Sequence, residues 1–262
     1  MRELENIRDK YLDLIIIIYT KYNMPKLCIM FFGLLRNLKN TLPFIRQNIF
    51  IQLEKQGIEY EIYIHTYKIN ILTSPRSQEY NIKYDNNQIS LFKHPSTKIK
   101  VDDQSEIDEQ LRFPEILNKS NPWPEDPSKT TMKNLIRQYY SLKSVFEMVK
   151  KENKEYDGYL FLRPDMLYLT PLIINNSVKL PIHKYSFYSS PLNIYNGVND
   201  RFCLTSYYGA EVYSSRLNEI YDESNIHSET FLKKHLSKYN MILLPLKIKA
   251  YRIRANGKIV EG

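Results

Sequence analysis

The chain has 262 residues, enough for one large α/β domain with a sizeable core. With 43% hydrophobic and 25% charged residues, it is neither a disordered nor a fibrous sequence. A net charge of +8 fits either anionic partners such as phosphates or a generally basic, solvated surface, and 2 cysteines are too few for a disulfide framework or a cysteine metal cluster.

Residues 1–23 hold an apolar run from Leu12 to Tyr19, interrupted by Asp13. A membrane span needs roughly 20 apolar residues. Acidic residues at positions 3, 5 and 9 also depart from a secretory signal. The stretch reads as an N-terminal extension, helix or strand, ahead of a domain covering 24–262. No transmembrane segment is expected, and two apolar, unpaired cysteines imply a cytoplasmic setting.

Residues 26–33 (KLCIMFFG) are a continuous apolar run ending in Gly33, which predicts a buried strand followed by Arg36 in a loop. Thr41 is placed to cap a helix with Pro43 in its first turn, running through Phe44, Ile45, Ile49, Ile51 and Leu53 to Gly57. Residues 60–67 (YEIYIHTY) predict a second strand ending in His65 and Thr66. Strand, helix and strand make a βαβ unit, hence a parallel sheet with ligands at its C-terminal strand ends. Residues 68–130 are polar and punctuated by prolines, too long for a bare connection, and read as a variable insertion with short elements. Trp123, between two prolines, is either a packing anchor or a platform for a sugar ring.

The clearest helix lies in 131–156, where Leu135, Tyr139, Leu142, Val145, Phe146 and Val149 recur at spacings of three and four. Lys133, Asn134, Arg137, Gln138 and Ser141 fall away from that stripe, as on a solvated face. The stretch YDGYLFLRPDMLYLTPL (156–172) then predicts a short central strand, 159–162, broken by Arg163-Pro164-Asp165. Pro164 cannot donate to a ladder, so pairing stops there and Asp165 is released at the lip of the sheet. Residues 198–221 repeat the pattern: Asp200 and Arg201 precede the apolar Phe202-Cys203-Leu204, and Gly209-Ala210 opens a helix. Further on, Ser228 is placed to cap a helix with Glu229 in its first turn, where a carboxylate is favoured on dipole grounds alone. The C-terminal stretch predicts an edge strand or two carrying Lys247, Lys249, Arg252 and Arg254, either as protection against edge-to-edge pairing or as a grip on a diphosphate. No HExxH, CxxC, Walker or GxGxxG motif occurs.

These pieces resemble GT-A type glycosyltransferases, and are similar to small viral and bacterial glycosyltransferase-like proteins with an RPD strand motif. The features that carry the resemblance are Gly33 to Arg36, Ile64-His65-Thr66-Tyr67, Leu162-Arg163-Pro164-Asp165-Met166, Asp200-Arg201-Phe202, Ser228-Glu229, and Arg252, Arg254 and Gly257. Residues 68–130 are unmatched. The resemblance implies an α/β, Rossmann-like single domain with a mixed, mainly parallel central sheet flanked by helices. It also implies transfer of a sugar from a nucleotide-diphosphate donor to a glycan or other hydroxyl acceptor. The Ile-, Asn-, Lys- and Tyr-rich composition of an AT-rich genome suggests a large DNA virus as source, in which case the expected setting is the host cytoplasm. Asp165 stands where such enzymes carry the last carboxylate of a DxD motif, which makes it the expected ligand for Mn²⁺ or Mg²⁺. Position 163 departs from the motif, being arginine. Asp165, Asp200 and Glu229 are the expected catalytic carboxylates. Gly33, Arg36, Thr66, Arg137, Arg163, Arg201, Arg252 and Arg254 are expected to hold the nucleotide sugar. The competing classes are a basic nucleic-acid-binding protein, drawing on the charge and the 22 tyrosines, and a catalytically degenerate sugar-nucleotide-binding module. Paired carboxylates at two strand ends favour the transferase, for which no nucleic acid is expected as partner.

Overall fold

The structure is a computed structural model describing residues 24–174 and 178–261, so the expected extension over 1–23 lies outside the described residues. The strands, in chain order, are β1 (Lys26–Phe32), β2 (Glu59–Lys68), β3 (Ile71–Ser74), β4 (Glu79–Lys83), β5 (Thr97–Asp103), β6 (Gly158–Leu162), β7 (Met166–Tyr168), β8 (Ser186–Ser189), β9 (Phe202–Thr205), β10 (Ile242–Pro245), β11 (Ala250–Ile253) and β12 (Ile259–Glu261). The helices are α1 (Leu38–Ile45), α2 (Ile51–Lys55), α3 (Gln104–Gln110), α4 (Phe113–Leu117), α5 (Thr130–Lys151), α6 (Tyr207–Ser214), α7 (Arg216–Glu219) and α8 (Ser228–Lys238).

Seven of these strands form the central sheet in the order β10-β8-β9-β6-β1-β2-β5. Neighbours run parallel except where β9 meets β6 and β8. The chain is therefore α/β with a mixed, mainly parallel sheet, as expected. The one reversal positions the site. Because β9 is antiparallel to β6, with Phe202 opposite Leu162, β9 begins at the rim where β6 ends. Asp200 and Arg201, just before β9, are thus brought beside Arg163 and Asp165, just after β6.

Strand parity divides the core in two. Cys28, Met30, Phe32, Tyr63, Tyr159, Phe161 and Cys203 pack against α5 and α6 on one face. Leu27, Ile29, Phe31, Ile62, Ile64, Leu160, Leu162, Phe202 and Leu204 pack against α1 and α2 on the other. Both faces of the sheet are covered, which is why the strands read as unbroken apolar runs. Truncating a side chain as deeply buried as Phe161, at 0% exposure, typically costs about 3–5 kcal/mol.

Three sequence expectations are corrected. The first helix begins at Leu38 rather than capping at Thr41, and Pro43 lies within it. Thr41 is interior, and its hydroxyl donates across to the Pro164 carbonyl at 2.7 Å, tying the helix to the Arg163–Asp165 turn. A π-helical turn over Arg46–Phe50 joins α1 to α2 and shifts the buried face, so the apolar stripe there looks imperfect in sequence. The second correction is that α5 does not present a solvated face over its first half, since Ser141 is fully buried. Thirdly, Ser228 is the first residue of α8 and makes no capping bond. The C-terminal stretch forms three strands, β10 in the central sheet and β11–β12 beside β7. Within 68–130, β5 supplies the edge strand of the central sheet, and β3 and β4 form a small hairpin. Among the described residues, no helix is long and apolar enough to cross a membrane.

Candidate active site at the sheet rim

A cleft of about 390 Å³ opens at the C-terminal ends of β1 and β6, beside the start of β9. Of the expected site residues, Gly33, Arg36, Arg137, Arg163, Asp200, Arg201, Glu229, Arg252 and Arg254 line it. Thr66 and Asp165 do not; both are buried beneath its floor, at 2% and 1% exposure. The second strand end contributes Tyr67 instead, whose ring reaches the cleft wall.

Asp165 is committed to Arg163. The guanidinium donates from Nε to Oδ1 at 2.8 Å and from Nη2 to Oδ2 at 2.7 Å, the bidentate geometry that makes Arg–carboxylate pairs strong. Burial alone would raise the Asp165 pKa, but the positive charge of Arg163, with Arg252 and Arg36 nearby, outweighs it and holds the carboxyl below the usual carboxylate range. The remaining arm of Arg163, Nη1, donates to Gln138 Oε1 on α5. Gln138 Nε2 in turn donates to Asp200 Oδ2 at 3.3 Å. The two carboxylate–arginine turns are therefore joined through one glutamine.

Asp200 and Glu229 form the second acidic centre, both buried. Asp200 accepts from the Ser228 hydroxyl, while its backbone carbonyl accepts from Tyr213 at 2.6 Å. Behind it lies Arg216, fully buried between the rings of Tyr139 (4.5 Å) and Tyr213 (4.0 Å). Burial pushes the Asp200 pKa up, but Arg201, Ser228 and Arg216 together lower it on balance. Glu229 goes the other way. Burial and the adjacent Asp200 charge push its pKa up to about 7, and Arg201, 3.3 Å away from Nη2 to Oε1, offsets only part of this. Two neighbouring carboxylates are thus separated into one that stays ionised and one that exchanges a proton near neutrality.

The arginines of the cleft fall into two groups. Arg137 is held bidentately by Asp108 (2.8 and 2.6 Å) and is committed to that pair. Arg36 reaches Glu79 at 3.2 Å, and Glu79 also accepts from the Ala255 backbone at 2.7 Å, so the β3–β4 hairpin braces two cleft walls. Arg252 and Arg254, by contrast, have no carboxylate within ion-pair distance among the described residues. β11 pairs antiparallel with β7, setting Arg252 opposite Met166 and beside the Asp165 turn. Burial and the charges of Arg163, Arg201 and Arg254 push the Arg252 pKa well down; burial and Arg36 bring Arg254 to about 10.

Asp165 is the expected metal ligand, and the residues around it do not fit a divalent cation. Mg²⁺ and Mn²⁺ need oxygen ligands free to coordinate. Both Asp165 oxygens already accept from Arg163. No group of three acidic, histidine or cysteine side chains among the described residues is arranged to hold a metal.

Two contributions went unread in the sequence. Gln138 bridges the two acidic turns. Ser141 accepts from the Gly33 backbone N–H at 2.8 Å and meets His65 Nδ1 at 2.7 Å, while His65 Nε2 meets Asp102 at 3.0 Å. Burial lowers the His65 pKa, against the pull of the Asp102 charge. Asn134, Gln138 and Ser141, at i, i+4 and i+7, form a line of neutral polar residues on an otherwise basic helix face; that line was the available signal. Trp123 proves to be both anchor and wall: it is 6% exposed, borders the cleft, and has Arg76 over its ring at 5.5 Å and His227 at 5.9 Å.

No protein-family model matches the chain, and no curated protein sequence matches it either. Among solved structures, the chain is similar to the glycosyltransferase GlyE of Streptococcus pneumoniae TIGR4 (TM-score 0.44, 10% identity, covering 86% of this chain and 46% of that one). It is also similar to the galactosyltransferase LgtC in complex with donor and acceptor sugar analogues (TM-score 0.44, 10% identity, 83% of this chain and 72% of that one). A third is mouse xyloside xylosyltransferase 1 (TM-score 0.39, 8% identity, 86% of each chain). The chain spans a little under half the length of GlyE. At these values the chemistry of the cleft has to be read from its own residues.

Proposed function

We propose that the protein is a GT-A type glycosyltransferase that moves a sugar from a nucleotide-diphosphate donor to the hydroxyl of a glycan or other acceptor. One observation carries this reading: a single cleft at the C-terminal strand ends combines unpaired arginines with a carboxylate whose proton affinity is set near neutrality. The arginines supply the charge that a diphosphate leaving group requires. Glu229 supplies the base that an acceptor hydroxyl requires. In the reaction, Glu229 takes the hydroxyl proton as the acceptor oxygen bonds to the anomeric carbon. The bond from that carbon to the diphosphate oxygen breaks, and the diphosphate leaves with the electron pair. Asp200, kept ionised by Arg201, Ser228 and Arg216, holds Glu229 in its proton-accepting range.

A nucleic-acid-binding protein finds fewer stacking platforms here than the number of tyrosines suggests. Tyr63, Tyr139, Tyr168 and Tyr213 are fully buried, where no base can stack on them. The test is a panel of UDP-, GDP-, CDP- and dTDP-sugars, scored by thermal stabilisation and by release of the nucleoside diphosphate. One donor is expected to stabilise the protein and be turned over. Absence of any stabilisation across the panel, together with salt-steep binding of single-stranded nucleic acid, would overturn the reading.

A further inference from the structure

We infer that the donor's diphosphate is held by guanidinium groups alone, with Arg252 at the centre, and that transfer needs no divalent cation. The inference rests on the transferase reading and adds to it how the leaving group is neutralised.

The first argument is the state of the carboxylates. The carboxylate that sequence places in the metal position is turned under the floor of the cleft with both oxygens on Arg163. For Asp165 to bind a cation, that bidentate pair would have to break and leave a guanidinium stranded at the cleft wall. Asp200 accepts from Ser228 and Gln138. Glu229 Oε1 accepts from Arg201 Nη2 at 3.3 Å.

The second argument is the state of the arginines. Buried donors are normally satisfied. Here Nε of Arg36, Nε and Nη1 of Arg201 and Nε of Arg252 are buried without a hydrogen-bond partner. Arg36 and Arg201 are 7% and 8% exposed. All three residues line the same cleft, and Arg254 joins them there without a carboxylate partner. Such a cluster repels itself until an anion enters, and a diphosphate, with its several acceptor oxygens, matches several guanidinium forks at once. When the bond to the anomeric carbon breaks, the electron pair moves onto a phosphate oxygen already surrounded by these donors. That is the task a metal would otherwise perform.

The experiment uses the full chain stripped with EDTA. Binding of UDP, GDP, CDP, dTDP and ADP is measured calorimetrically in EDTA and again with Mn²⁺, alongside the matching nucleosides. At least one diphosphate is expected to bind with a Kd that agrees within about threefold between the two buffers, while its nucleoside binds far more weakly. Arg252→Met should weaken that diphosphate by roughly ten- to a hundredfold, the loss typical of charge-assisted hydrogen bonds, and leave nucleoside binding unchanged. A diphosphate that binds more than about tenfold tighter with Mn²⁺ than in EDTA overturns the inference and leaves the transferase reading standing. No binding of any diphosphate in either buffer overturns both.

Discussion

Replacing Asp165 with asparagine tests whether this residue is a buried counter-charge and not a free carboxylate. The side chain is 1% exposed, and that of its partner Arg163 is 16% exposed. The substitution keeps shape and removes charge. It leaves the guanidinium facing an amide that can accept through one oxygen only, while its NH₂ opposes an arginine donor. Breaking a buried pair from one side costs about 3–5 kcal/mol, against a total folding stability of about 5–15 kcal/mol. At about 2–4 °C per kcal/mol for a chain of this size, the midpoint should fall by about 6–20 °C. The assays are thermal and urea unfolding followed by the fluorescence of Trp123, the single tryptophan, with an unchanged urea slope expected. The sign with pH is fixed by linkage. Arg163 depresses the folded-state pKa below the unfolded value of 3.8, so the stabilisation is present above pH 3.8 and is lost as pH falls through the folded value. Wild type and variant should therefore converge only in strong acid. A loss below about 1 kcal/mol at neutral pH, the size of an exposed pair, would refute the argument. Read from sequence alone, Asp165→Ala should stop transfer with the fold intact; burial of the pair adds a cost to the fold.

Glu229→Gln should lower kcat/KM by about 10²–10⁴-fold, the usual worth of a general base, and remove a wild-type acid limb with a midpoint near pH 7. The same group acts on stability with the opposite sense from Asp165. Its folded pKa lies above 4.5, so its contribution is full below pH 4.5 and declines as pH rises towards 7, a slope that the glutamine variant should lack. An identical limb in the variant would assign it elsewhere. Gly197→Ala places a Cβ only 2.0 Å from the Glu229 carbonyl oxygen and 2.5 Å from the Thr230 nitrogen, and backbone cannot yield cheaply. The start of α8 should shift, and activity should fall by more than the loss in melting temperature explains. Full activity with unchanged stability would show that Gly197 has more room than the geometry gives it.

The legible parts of this fold were those written locally. Sealed strands announce themselves as apolar runs, so 26–33 and 159–162 stood out, and Pro164 marked where pairing stops. The site was half legible for the same reason: a charged residue directly after or before such a run lies at a sheet rim. The fate of those charges depended on partners distant in sequence. Asp108 engages Arg137, Glu79 braces Arg36, and Gln138 links Arg163 to Asp200. No local pattern carries those pairings. The stretch 68–130 was opaque because β5 is amphipathic and half-exposed at the sheet edge, without the apolar density of the central strands.

Arg252 and Arg254 are delivered by β11, which pairs with β7, a strand from a distant part of the sequence. A ligand that bridges these arginines to Arg36 and Arg201 can bind only where that pairing is made. Its binding energy then accrues to molecules with β11 docked and not to frayed ones. With the ligand present, a molecule with β11 docked would be shielded from proteases while one with β11 undocked stays open to them. The ligand would thereby select the molecules whose β11–β7 pairing is intact.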